Sequence, residues 1–98
     1  MNSTELRRIR NAVREGRYDM TFHAVEELAE DGLDILDFET AVGEGELIRT
    51  QTDDRRGTRY TVAGPTRDRA RRMGLIGRFT ETGVFLVIMA FEVTAPEE

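Results

Sequence analysis

A length of 98 residues bounds the chain, 1–98, to a single domain with a modest core. Its 39% hydrophobic and 34% charged residues exclude a disordered chain, and the absence of cysteine excludes disulfides and thiolate metal centres. The net charge of −5 disfavours indiscriminate binding to nucleic acid, but it conceals a segregation: 26–46 hold nine acids and no base, while 55–78 hold eight arginines and one acid.

The N-terminal stretch 1–10 lacks the apolar core of a secretion signal, and the longest apolar run, 84–91, is too short to span a bilayer. A cytoplasmic location, with no membrane partner, is therefore expected. All 14 basic residues are arginine, a usage expected of a GC-rich bacterial genome. Arginine is also the side chain best suited to forked contacts with phosphate and carboxylate.

In chain order, Asn2 and Glu5 are spaced as a capping box, and Leu6, Ile9 and Val13 form a helical stripe that Gly16 ends. Thr21 caps a second helix, with Phe22, Val25, Leu28 and Ala29 on its inner face and Gly32 at its end. Asp34 caps a third helix. Leu33 and Phe38 sit at staple spacing, Ile35, Phe38, Ala41 and Val42 form the stripe, and Gly43 is the stop.

Strands follow. The segment 46–52 leads through a polar turn to 58–64, where Tyr60 and Val62 share one face and Arg59 and Thr61 the other. The stretch 64–72 reads as an arginine-rich loop and 73–80 as a third strand. After a hairpin turn, 84–93 shows no alternation, which predicts a central strand buried on both faces, and the tail from Thr94 frays. The expected fold is α+β, with three N-terminal helices packed on one face of a four-stranded, mainly antiparallel sheet. The other face would carry Arg59, Thr61, Arg78 and Thr80 toward solvent.

The run from His23 to Leu33, the short helix after it, the segment from Gly57 to Gly64 and the apolar last strand resemble a family of small domains of unknown function. Its helix motif is H-A-x-x-R-M-x-x-R-x-I, and it is grouped with RelE-like and barnase/colicin-like ribonuclease toxins. His23, Ala24, Gly32, Leu33, Gly45 and the pair Arg59–Tyr60 match. Both motif arginines are acids here, Glu27 and Asp31, and the family's Thr-x-Tyr in the last strand is replaced by Met89 and Phe91. The resemblance implies a RelE-like domain and a toxin-type or toxin-derived protein of a toxin–antitoxin system. Its activity would be that of a metal-independent endoribonuclease needing no cofactor. The alternative is a non-catalytic protein-interaction module of the same fold.

The candidate catalytic residues are His23 as the base and Arg59 and Arg78 as cations around the phosphate. His23 is also readable as a histidine tying the helix start to a strand. One histidine with Glu27 at i, i+4 is too few ligands for zinc, so no metal is expected. Arg67, Arg69, Arg71 and Arg72 are candidates for binding phosphate or a partner. The partners considered are RNA, an antitoxin or other small protein, and a second copy in a homodimer. Mutual neutralisation of the acidic and basic blocks within one fold is the competing reading.

Overall fold

The computed structural model describes residues 3–52 and 55–94. Helix α1 (Ser3–Arg14) buries Ile9, Ala12 and Val13, as its stripe predicts; the Asn2 cap lies outside the described residues. A short strand, β1 (Tyr18–Met20), follows, and then α2 (Phe22–Glu30) and α3 (Ile35–Glu44). The remaining strands are β2 (Glu46–Gln51), β3 (Arg59–Pro65), β4 (Arg72–Phe79) and β5 (Phe85–Val93). The sheet order is β1-β5-β4-β3-β2, with β1 parallel to β5 and every other pair antiparallel.

The fold is α+β, but the expected four-stranded, mainly antiparallel sheet is in fact five-stranded and mixed. β1 supplies the extra strand and interrupts the helices, so they do not form one N-terminal block over the sheet. A parallel pairing joins residues far apart in the chain and leaves no local turn signal. β4, not β5, is the central strand. β5 is flanked by β1 along its first part only.

Beyond β1, the outer edge of β5 is closed by α2. The Ala90 N–H donates to Glu27 Oε1 (2.9 Å), and the Glu92 N–H donates to Asp31 Oδ2 (3.1 Å). A sheet edge facing other protein must have its amides paired, and these two carboxylates supply the acceptors. They turn α2 so that Ala24 and Leu28 are buried, while Phe22 is 77% and Val25 48% exposed. The expected inner face of Phe22, Val25, Leu28 and Ala29 is thus corrected to one built around Ala24 and Leu28.

Helix boundaries otherwise follow local chemistry. The Thr21 hydroxyl accepts the Ala24 N–H at 3.1 Å. Asp34 and Asp37 form a reciprocal capping box at the start of α3. Phe38, Ala41 and Val42 are buried as expected, whereas Ile35 is exposed, and the helix runs past Gly43 to Glu44. Two arginines close the C-terminal ends of helices. Arg10 donates to the carbonyls of Val42 (2.9 Å) and Gly45 (2.8 Å), and Arg71 donates to those of Asp31 (2.7 Å) and Gly32 (3.2 Å).

The core joins Ile9, Ala12, Phe38 and Val42 to Val62, Met73, Leu75, Phe85 and Val87. α3 lies directly on β3, because Gly64 brings its backbone against that of Ala41. A Cβ at Gly64 would collide with main-chain atoms that have no room to yield. Gly64→Ala is therefore expected to destabilise the domain by about 3 kcal/mol, read as a lower urea midpoint at unchanged slope.

Candidate functional site

Strand alternation assigns each side chain to a face. Val62, Gly64, Leu75 and Gly77 face the core, so Thr61, Ala63, Gly74, Ile76 and Arg78 point the other way. An extra residue in β5, between the partners of Ile76 and Gly77, shifts its parity and brings Met89 and Phe91 to this second face. Among the described residues, no helix packs against it.

The uncovered face is not the polar, arginine-studded surface that alternation alone suggests. Its centre is apolar. Phe91 lies across Gly74, where a Cβ would overlap the ring, and Ile76 stands between Thr61 and Met89 in register. Thr61, expected in solvent, is buried, as is Ala63, while Met89 is 39% exposed. Thr80, also expected on this face, lies beyond β4, where its hydroxyl accepts the Val84 N–H at 3.1 Å in the hairpin turn.

Arginines form the rim. The β3–β4 register ends at the Tyr60–Gly77 pair, and Arg59 and Arg78 are the next residues of the two strands. Arg49 is opposite Thr61 at the β2 side, and Arg72 is opposite Val93 at the far end.

His23 lies elsewhere. It is 64% exposed near the start of α2, with Nε2 3.2 Å from Glu27 Oε2. β5 and β4 lie between α2 and the strand carrying Arg59. Glu27 thereby binds a β5 amide with one oxygen and the imidazole with the other. A carboxylate fixed in this way orients the ring, as the third member of a nucleophile–base–carboxylate array does. Among the described residues, no set of three His, Asp or Glu is placed to hold a metal ion.

The arginine loop is held mainly by the fold itself. The Thr66 hydroxyl is buried and donates to Asp68 Oδ1 at 2.8 Å, and the same oxygen accepts the Ala70 N–H at 2.9 Å. Arg69, at a left-handed φ of 61°, reaches Glu44 Oε1 at 2.6 Å. Arg71 caps α2 and also lies 3.5 Å from Glu92. The Arg67 N–H donates to Asp37 Oδ1 at 2.8 Å. Arg69, Arg71 and Arg72 line a cleft of about 440 Å³ with Glu92 and Val93. Asp31, Asp37 and Glu44 of the acidic block thus meet the basic block inside one chain.

The chain matches the model of the family described as "Domain of unknown function (DUF4258)" over residues 20–92. It belongs to the DUF4258 family. No curated protein and no solved structure matches it. The DUF4258 region begins at Met20, the last residue of β1, and takes in α2, α3, β2, β3, β4 and β5 up to Glu92, and so includes His23, the uncovered face and the arginine loop. Among its described residues, no helix is long and apolar enough to cross a membrane.

The sequence reading missed Glu27 and Asp31 as edge acceptors, and Ile76, Met89 and Phe91 as an uncovered apolar strip. A signal for the strip exists. Three helical stripes cannot cover both faces of a sheet whose last strand is apolar throughout.

Two outcomes follow for this DUF4258 domain. Glu27→Ala leaves the Ala90 amide without its acceptor, so about 1–3 kcal/mol of stability and the hydrogen-exchange protection of that amide are lost. Glu27→Gln keeps an acceptor and loses much less. Asp37 is the second case. Burial pushes its carboxyl up, but the N–H groups of Arg67 and Asp34 outweigh this and hold it below the usual aspartate range. A depressed carboxyl stabilises the fold above its unfolded pKa, about 3.9, and that contribution disappears as pH falls through the folded value. Urea titrations at pH 6 and pH 3 should therefore show wild type and Asp37→Asn converging in stability at the lower pH.

Proposed function

We propose that this DUF4258 domain is a toxin-derived, non-catalytic interaction module that binds an acidic, amphipathic segment of a partner protein across its uncovered sheet face. One observation carries the reading: an apolar strip of Ile76, Met89 and Phe91 sits inside a rim of Arg49, Arg59, Arg72 and Arg78. Apolar contact in the centre supplies affinity, and the cationic rim selects acidic partners and sets the register. In a toxin–antitoxin pair, the segment would belong to the antitoxin. The placement of His23 supports the same reading. Cutting RNA needs a base at the 2′-hydroxyl beside the cations on the phosphate, and two strands separate α2 from Arg59.

A second reading, a metal-independent endoribonuclease, is favoured by the nearness of Arg59 and Arg78 at the end of the β3–β4 pairing and by the Glu27-oriented His23. The deciding experiment titrates ¹⁵N-labelled protein with a synthetic helical peptide carrying leucine on one face and glutamate on the other. A parallel assay follows cleavage of total RNA. The expected result is amide shifts confined to β3, β4 and β5, at least roughly tenfold weaker binding in 500 mM salt, and loss of binding in a folded Ile76→Glu variant. RNA cleavage abolished by His23→Ala and by Arg59→Ala would replace this reading with the second. Absence of both peptide binding and cleavage would remove the two together.

A further inference from the structure

β2 forms one margin of the sheet, and among the described residues its only extensive packing is against β3. No described strand pairs with its other edge, which is therefore a template for another strand. Ile48, an apolar side chain on this strand, is 56% exposed. Glu46 and Arg49 are exposed as well, and neither side chain has a hydrogen bond or ion pair among the described residues.

The bulge between Leu47 and Arg49 makes this edge unusual. Residues three apart on a regular strand point to opposite faces. Here Glu46 is in register with Ala63 and Arg49 with Thr61, both on the uncovered face, so the extra residue places Glu46 and Arg49 on the same side. The strand is thereby complementary to itself. If two copies run antiparallel about an axis between Leu47 and Ile48, each Glu46 stands opposite the other copy's Arg49. Centring the pair on either charged residue would set like against like, which is destabilising.

We propose that this edge pairs with the same edge of a second copy, joining two domains into a continuous sheet with a shared uncovered face. Two Glu46–Arg49 ion pairs flank the axis, and the exposed Ile48 side chains are drawn into the contact. The interface is isologous, so it closes at a dimer and does not propagate. It stands on β2 alone and holds whether or not the sheet face binds an acidic segment.

Sedimentation equilibrium over a range of concentrations tests it, with far-UV circular dichroism confirming that each variant folds. The wild-type protein is expected to form a reversible dimer. Glu46→Arg and Arg49→Glu, each alone, are expected to weaken association by roughly tenfold or more. An equimolar mixture of the two variants is expected to recover it, because each then offers the other's complement. A wild-type protein that stays monomeric at every concentration, or a dimer that neither reversal weakens, would overturn the proposal. So would two reversed variants that fail to associate when mixed.

Discussion

The backbone amides on the outer edge of β5 must all find acceptors, and the arrangement of the N-terminal half follows from how they do so. β1 satisfies the first part of the edge by parallel pairing, and Glu27 and Asp31 satisfy amides beyond it. The two solutions are consecutive in the chain, joined by Thr21. Its N–H donates to Val87 O at 2.9 Å, and its hydroxyl caps α2. The edge therefore sets the position and rotation of α2. Phe22, Val25 and His23 are exposed because Glu27 and Asp31 are engaged.

This constraint explains what was legible in the sequence. Capping chemistry and apolar periodicity are local, and they located the helices to within a residue or two, with Thr21 and Asp34 as caps. Alternation correctly put Arg59 and Arg78 opposite the core. The rotation of α2 was not legible, because carboxylates at Glu27 and Asp31 look like a solvated helix edge until a strand is placed beside them. The parallel β1 was hidden for a related reason. Tyr18, Asp19 and Met20 become a strand only because β5 offers an edge. An ionised carboxylate accepts and cannot donate, so Glu27 and Asp31 suit the strand amides they meet.

The charge segregation resolves in a similar way. Asp37 belongs at once to the capping box of α3 and to the anchor of the arginine loop, since it accepts amides from both. Arg71 closes the end of α2 and reaches Glu92, and Arg69 pairs with Glu44. Exposed pairs of this kind contribute little each, about 0–1 kcal/mol, but together they fix one loop conformation. On the margins of the uncovered face, Arg49 and Arg72 are exposed, and neither side chain has a hydrogen bond or ion pair among the described residues. The sequence offered both the loop and the arginine-bearing sheet face as binding surfaces; the charges of the loop are largely paired within the fold.

The parallel alignment of Tyr18 with Phe85 has a kinetic consequence. It closes a loop that spans most of the polypeptide, so this contact has high contact order and a slow closure step. During synthesis, α2 has no edge to dock against until β5 has been made, whereas α1 already has α3 to pack against. The acceptors Glu27 and Asp31 wait for β5, and loss of that strand would withdraw the support of elements made before it.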